Sequence, residues 1–143
     1  MPSSTDTQPG RTTTVAVAES LTGGLLCSRF ARRKGAGDWF RGGVVAYSRS
    51  TKERLLGIGD APVVSESAAC SMAQSVARLL SADLAVAVTG VGGPDPEDGI
   101  PPGTVWIATY TAGRTEARLH HFDGDTTAIC AQTCDTAEAL LDA

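Results

Sequence analysis

The sequence predicts an α/β protein, a three-layer α/β/α sandwich with a mainly parallel or mixed central sheet. Short runs of small apolar residues, typical of strands buried on both faces, alternate with longer segments whose apolar residues recur at helical spacing. The chain has 143 residues, of which 42% are hydrophobic and 5% aromatic, so we expect one core built mainly of Val, Ala and Leu.

The N-terminal residues differ in composition from the rest of the chain. Residues 1–12 are rich in Ser, Thr, Pro and Gln and show no periodicity, which predicts a disordered tail, and residues 13–143 form a single predicted domain. The N-terminus lacks the pattern of a secretory signal peptide, and no apolar run reaches the length of a membrane span. We therefore expect a cytoplasmic protein with no membrane partner.

The stretch from Val15 to Gly24 is predicted to lead a strand into a helix through a functional turn. Its apolar start, Val15–Ala18, suits a buried strand, and Ser20 lies where that strand ends. Open α/β sheets bind ligands at strand carboxyl ends, and Gly23-Gly24 would let backbone N–H groups approach an anion or a developing oxyanion. Ser20 is thus a candidate nucleophile or substrate ligand, with a plain helix cap at Ser20 or Thr22 as the equal alternative.

The next elements are predicted from helical spacing, buried apolar runs and turn residues. Ser50 and Glu53 have the spacing of a capping box at the start of a short helix. We expect, in order, a helix with apolar positions 21, 25, 26 and 30 that ends at Gly35, a strand over 42–47, and the short helix, which stops at Gly57.

A long loop divides the second half of the chain. Thr89–Gly103 is fifteen residues of mainly Gly, Pro and acidic side chains, and loops this long inside compact domains are usually functional. Around it we expect a helix opened by Ser65-Glu66, a strand over 85–88, a hairpin of strands 104–110 and 117–122, and a last helix from about 126 to 141.

Three predicted strands end in turns that are rich in Gly and hydroxyl groups. If these strands are parallel neighbours, their ends converge on one crevice. The converging groups are Ser20, Thr22, Tyr47, Lys52, Thr89 and the backbone of Gly23, Gly24, Gly90, Gly92 and Gly93.

This set of groups predicts acyl-transfer chemistry. A serine nucleophile needs a base, and because none of the three turns contains His, Lys52 is the candidate, acting directly or through Tyr47. Backbone N–H donors after Ser20 could stabilise an oxyanion by roughly 3 kcal/mol each. The sequence therefore indicates a metal-free amide or ester hydrolase of a small anionic substrate, or a nucleotide or sugar-phosphate binding module without turnover.

Charge and cysteine usage narrow the ligand class. Eight basic and two acidic residues lie between Arg29 and Arg54, within a chain of net charge −4, which favours a phosphate-bearing small ligand over nucleic acid. We assign Arg32, Arg33 and Lys34 to a solvated helix end. The four cysteines lack the spacing of a metal site, so we expect reduced core thiols and no cofactor or metal.

Five motifs then resemble one known family. They are Ala18–Gly24, Gly42–Ser48 with Lys52 and Leu55–Gly57, Val64–Glu66, Ala87–Pro94 and Pro102–Val105. Their order and spacing resemble the CinA C-terminal domain family over about residues 14–142. The resemblance implies an α/β/α domain and nicotinamide-nucleotide amidase activity, which converts nicotinamide mononucleotide to nicotinic acid mononucleotide and ammonia in pyridine nucleotide salvage.

The resemblance also implies roles for individual residues. Ser20 would be the nucleophile, with Tyr47 and Lys52 as acid/base partners. We expect no cofactor and, because small three-layer domains often pair, a homodimer. The substrate-binding set would be Glu19, Thr22, Gly23, Gly24, Gly43, Thr89, Gly90, Gly92 and Gly93.

The chain departs from the family pattern at Thr126 and Cys130, where arginines are common, and at Leu21, where Cys is usual. Loss of an arginine would remove a charge-assisted contact worth about 1.5 to 3 kcal/mol. A catalytically silent nucleotide-binding module of the same fold is therefore the alternative function.

Overall fold

Residues 12–142 are described by a computed structural model, and its centre is a five-stranded sheet of order β2-β1-β3-β4-β5. The predicted tail, apart from Thr12, lies outside the described residues. The elements are β1 (Val15–Glu19), α1 (Leu25–Ala31), α2 (Ala36–Trp39), β2 (Phe40–Val45), α3 (Arg49–Leu56), α4 (Glu66–Leu79), β3 (Leu84–Gly90), β4 (Thr104–Thr111), β5 (Arg114–His121) and α5 (Thr126–Asp142).

The sheet is mixed, and its parallel part contains the predicted site. β1 pairs in parallel with both β2 and β3, with Val17 opposite Gly43 on one side and Val86 on the other. β4 and β5 continue the sheet as antiparallel strands, so the predicted hairpin is confirmed. The carboxyl ends of β1, β2 and β3 therefore lie at one edge of the sheet.

Side chains alternate along β1 between two cores, which defines the three layers. Val15 and Val17 pack with Leu26 and Phe30 of α1 and Ile129 of α5. On the opposite face, alanines of the strands pack against α3 and α4, whose buried residues include Leu56, Met72 and Val76. The predicted α/β/α architecture is confirmed.

Two helix starts differ from the sequence prediction. α1 begins at Leu25 rather than near Leu21, because residues 20–24 form two successive turns, with Gly23 N donating to the Ser20 carbonyl oxygen and Leu25 N to that of Thr22. The prediction of a capping box at Ser50 and Glu53 is wrong. Ser48 is the cap of α3, and its hydroxyl oxygen accepts a hydrogen bond from Thr51 N at 3.2 Å.

A further helix, α2, was not predicted, because its four residues are too few for a periodic pattern. It places Trp39, which is 5% exposed, edge-to-face against Phe30 at a ring-centroid distance of 6.1 Å. The short helix thereby closes the end of the core beneath α1.

The basic end of α1 is paired rather than only solvated. Arg29 forms ion pairs with Asp135 and Glu138, and Arg33 with Glu138 and Asp142, so both guanidinium groups tie α1 to α5. The expectation of a solvated helix end is therefore wrong for Arg33, whereas Arg32 and Lys34 are exposed. Among residues 12–142, no helix is both long and apolar enough to cross a membrane.

Candidate active site

A cavity of about 240 Å³ opens at the carboxyl ends of β1 and β3. The loop after β3 forms one wall, and the start of α3 with the segment before α4 forms the other. The lining residues are Ser20, Leu21, Tyr47, Lys52, Val63, Val64, Thr89 and residues 90–97. Three strand ends thus contribute to one crevice, as the sequence predicted.

Ser20 follows the last residue of β1 and is 5% exposed. The turns that precede α1 hold its backbone, since its carbonyl oxygen accepts from Gly23 N at 3.0 Å. Its hydroxyl forms no hydrogen bond with another residue of the described chain, although it faces the cavity. Ser20 is therefore a fixed and chemically uncommitted hydroxyl, which suits a nucleophile better than a helix cap.

Glu19 lies beneath this turn and does not line the cavity. Its fully buried carboxylate accepts hydrogen bonds from Leu26 N at 3.1 Å, from Cys27 N at 2.8 Å and from the Thr22 hydroxyl. Gly24 occupies the N-cap position of α1 and has no side chain to satisfy these N–H groups, so Glu19 replaces the cap. Both groups are occupied in supporting the turn, so these contacts give no support to the prediction that Glu19 and Thr22 bind substrate.

Lys52 projects from α3 into the cavity and is 3% exposed. Its Nζ donates a hydrogen bond to the carbonyl oxygen of Tyr47 at 3.1 Å. Burial lowers the pKa of Lys52 below its ordinary value, the nearby Glu97 carboxylate opposes that shift, and Arg49 adds to it. The structure thus provides a buried amine whose neutral form is favoured relative to an exposed lysine.

Tyr47 contacts Lys52 through its backbone carbonyl oxygen and not through its phenol. Its side chain is 73% exposed at the mouth of the cavity, and within residues 12–142 no hydrogen bond joins the phenol to Lys52 or Ser20. The structure therefore favours direct action of Lys52 over a relay through the Tyr47 hydroxyl.

The end of β3 forms the floor of the cavity. The Thr89 hydroxyl donates to the Val63 carbonyl oxygen at 2.6 Å, which fixes the segment before α4 against the sheet. A Cβ at Gly90 would lie 2.5 Å from the Thr104 carbonyl oxygen, so glycine is needed there for β3 and β4 to pair. Gly92 and Gly93 leave the cavity wall open between Leu21 and Pro102.

Three predicted ligand glycines lie elsewhere. Gly23 and Gly24 shape the turn after Ser20, with φ of 58° and 111°, and do not line the cavity. Gly43 lies under α1, where a Cβ would collide with Cys27 Sγ and approach the Val17 carbonyl oxygen to 2.6 Å. These glycines serve the turn and the packing of the fold, most clearly at Gly43, and their contact with substrate stays a prediction.

Two acidic residues of the long loop after β3, which the sequence predicted to be functional, line the cavity. Asp95 and Glu97 line the mouth, and a tight reversal follows Glu97. Asp98 and Gly99 have φ of 51° and 77°, and Glu97 and Ile100 exchange backbone hydrogen bonds across them. The Asp98-Gly99 dipeptide is the sequence signal for such a turn, which was not predicted within Thr89–Gly103.

The positions of the absent arginines border the site. Thr126 lines a neighbouring groove of about 390 Å³, which shares Gly92, Gly93 and Pro94 with the cavity. Cys130 lies one turn further along α5, and its thiol donates to the Leu21 carbonyl oxygen at 3.4 Å. Cys130 therefore supports the residue after the candidate nucleophile and does not supply a charge.

Comparison with known proteins identifies a family model and relatives whose names agree with one another. The family model described as "CinA C-terminal domain" matches residues 5–143. A "CinA-like protein" of Salinibacter ruber is 38% identical over 130 residues, which cover 85% of this chain and 31% of that protein. A relative from Desulforamulus reducens, whose name includes "competence-damage inducible protein", is 40% identical over 87% of this chain, which again spans 31% of the relative's length.

Solved structures with related names are also similar to this chain. A CinA superfamily protein of Klebsiella pneumoniae has a TM-score of 0.86 at 33% identity, covering 90% of this chain and 84% of that one. A competence or damage-inducible protein of Enterobacter asburiae has a TM-score of 0.88 at 30% identity, covering 90% and 85% of the two chains. The matched model and these relatives show that the chain belongs to the CinA C-terminal domain family.

Proposed function

We propose that this protein is a metal-free amidohydrolase that converts nicotinamide mononucleotide to nicotinic acid mononucleotide and ammonia. One observation carries the proposal: Ser20 and Lys52, each more than nine-tenths buried, line the same cavity. Family membership supports the amide substrate through the resemblance described above. We also propose, from the sequence, a cytoplasmic homodimer that acts in pyridine nucleotide salvage.

The proposed reaction proceeds through an acyl-enzyme. Neutral Lys52 accepts the Ser20 proton as Ser20 Oγ attacks the carboxamide carbon, and the tetrahedral oxyanion forms. Collapse of this intermediate breaks the C–N bond, and the Lys52 ammonium donates its proton to the leaving nitrogen, which departs as ammonia. Lys52 then deprotonates a water molecule that attacks the ester, and Ser20 Oγ recovers the proton as the acid is released.

The ligand-free geometry requires one rearrangement before this reaction. Lys52 Nζ is bonded to the Tyr47 carbonyl oxygen, and a lysine side chain reaches a new acceptor by rotation about its terminal bonds. Catalytic hydrogen bonds commonly tighten only when substrate is bound. Substrate entry next to Ser20 therefore supplies the contact that reorients Nζ.

Ammonia release from nicotinamide mononucleotide tests the proposal. We expect turnover by the wild type and its loss in Ser20→Ala and Lys52→Ala. Ser50→Ala and Lys34→Ala are matched controls, since both residues are exposed and lie outside the cavity lining, and both variants should retain activity. Equal turnover by Ser20→Ala and Ser50→Ala would refute the assigned nucleophile.

A nucleotide-binding module without turnover is the second candidate. Thr126 and Cys130 favour it, because neither supplies the cation expected at those positions. It predicts an increased melting temperature with nicotinamide mononucleotide and no ammonia release. Turnover lost on Ser20→Ala would exclude it.

A further inference from the structure

The mouth of the cavity is acidic. Within the described chain, the charged side chains that line the cavity are Lys52, Asp95 and Glu97. Lys52 is buried at the inner wall, whereas Asp95 and Glu97 are exposed at the entrance. A ligand that enters therefore meets two carboxylates, and no guanidinium belongs to this lining.

Glu97 is held firmly for a loop residue. Its N–H donates to the Ile100 carbonyl oxygen at 3.0 Å, and Ile100 N donates back to the Glu97 carbonyl oxygen at 2.9 Å. Positive φ at both Asp98 and Gly99 gives a two-residue reversal whose twist matches that of a hairpin. The hairpin tip directs Asp98 away from the cavity lining while Glu97 remains part of it.

The acidic mouth leads to a hydroxyl group that has no hydrogen-bond partner among residues 12–142. The Ser20 hydroxyl, on a residue 5% exposed, faces the same cavity and has no hydrogen bond to another described residue. A substrate amide at Ser20 would leave the remainder of its ring to extend toward the entrance. Groups next to the reacting amide are therefore the ones that Asp95 and Glu97 can contact.

We propose that Asp95 and Glu97 form a specificity rim that recognises a positively charged heterocyclic ring, so that the site selects cationic over neutral ring amides. This inference rests on the proposed function, because it places the reacting amide at Ser20. Nicotinamide mononucleotide has such a ring, a pyridinium whose nitrogen lies two ring positions from the carbon that bears the carboxamide. The rim sets selectivity for the ring and takes no part in bond breaking.

The size of the effect follows from exposure. Ion pairs of exposed carboxylates are weak, so each rim residue should contribute about 1.4- to 5-fold in affinity for the cationic ring. Because the charges are solvated, the preference should decrease as ionic strength rises and the Debye length shortens. Protonated Lys52 would repel the cationic ring and reduce the preference set by the rim, whereas neutral Lys52 would not.

The test compares nicotinamide mononucleotide with its reduced form, which keeps the amide, ribose and phosphate but has a neutral ring. Calorimetric titration of the full Ser20→Ala protein with each compound measures binding without turnover. We expect tighter binding of the oxidised compound in Ser20→Ala, by about 2- to 30-fold for the two rim residues together. Adding Asp95→Asn and Glu97→Gln to this variant should bring the affinity ratio close to one.

Asp98→Asn is the matched control, because Asp98 is a neighbouring exposed acid outside the cavity lining and Asn tolerates its positive φ. Adding it to Ser20→Ala should leave the preference unchanged. Equal affinity for the two compounds, a preference that survives loss of both rim charges, or failure of nicotinamide mononucleotide to bind would overturn the inference. Selective binding without ammonia release from the wild type would instead refute the proposed function and leave the rim assignment standing.

Discussion

Glu19 Oε2 accepts a hydrogen bond from Cys27 N at 2.8 Å, which joins the last residue of β1 to the first turn of α1. The carboxylate is fully buried, and further donors reach it from Leu26 N and Thr22. The bonds close the chain reversal that contains Ser20. A buried charge with this set of donors holds the candidate nucleophile in place from below.

Glu19→Ala should therefore destabilise the protein strongly. It leaves the N–H groups of Leu26 and Cys27 buried without their acceptor, which should lower the free energy of unfolding by about 2 to 4 kcal/mol. Urea denaturation measures the change. Glu53→Ala is the control, because its exposed ion pair with Arg49 should contribute less than about 0.5 kcal/mol. Similar midpoints for the two variants would contradict the capping role of Glu19.

Gly43→Ala should also destabilise the fold, although the sequence placed Gly43 in the substrate site. The new methyl group would collide with Cys27 Sγ and the Val17 carbonyl oxygen, and overpacking of this kind costs about 1 to 3 kcal/mol. Adding Cys27→Ala removes the collision with Sγ and should recover part of the lost stability. The recovery should be incomplete, because the contact with the Val17 carbonyl oxygen remains. Gly37→Ala, where a Cβ meets nothing within 4 Å, should leave the thermal midpoint nearly unchanged.

The fold could be predicted from the sequence because its signals are local. The β1 and β3 patterns show burial on both faces, and the α4 stripe contains Met72 and Val76 at helical spacing. The cavity could be predicted in outline for the same reason, since Ser20, Lys52 and Thr89 follow three such elements.

The roles of Glu19 and Gly43 could not be predicted, because they depend on how close α1 comes to the sheet. Sequence spacing shows that Glu19 follows a strand, but not that the turn returns the N–H groups of α1 to its carboxylate. In the same way, a glycine in a strand indicates close approach without identifying what approaches, which at Gly43 is Cys27.

The pH dependence of activity should follow Lys52. Since neutral Lys52 is the proposed base and burial lowers its pKa, kcat/KM should rise with pH along a limb whose midpoint lies below the ordinary lysine value of 10.5. Lys52→Arg should abolish activity, because a guanidinium stays protonated. Tyr47→Phe should keep the limb unmoved, as the Tyr47 carbonyl and not its phenol contacts Nζ. A shift of this limb in Tyr47→Phe would instead support a relay through the phenol.

The lowered pKa of Lys52 also predicts how the stability of the protein depends on pH. Protonated Lys52 is disfavoured by burial in the folded state, so the wild type should gain stability as pH rises from the folded pKa of Lys52 toward 10.5. Lys52→Met keeps an apolar stem and should lack this gain. Urea midpoints across this pH range check the sign, and a parallel pH dependence in both proteins would show that Lys52 is not responsible.

Thr126→Arg should strengthen binding of phosphate-bearing ligands. Thr126 is exposed in the groove that shares Gly92, Gly93 and Pro94 with the cavity, so a longer cationic side chain has room to reach a ligand that spans both. A charge-assisted contact of about 1.5 to 3 kcal/mol corresponds to roughly 10- to 150-fold in affinity. Calorimetry with nicotinamide mononucleotide should show this gain, whereas nicotinamide riboside, which lacks the phosphate, should bind almost equally to both proteins.

Thr111→Arg, at the far end of β4, controls for a general effect of added positive charge and should change neither affinity. An equal gain for the nucleotide and the riboside in Thr126→Arg would mean that position 126 does not face the phosphate. A gain confined to the nucleotide would indicate that the groove beside α5 receives the phosphate. The absent arginine would then lower affinity without removing the chemistry, because Ser20 and Lys52 lie in the cavity itself.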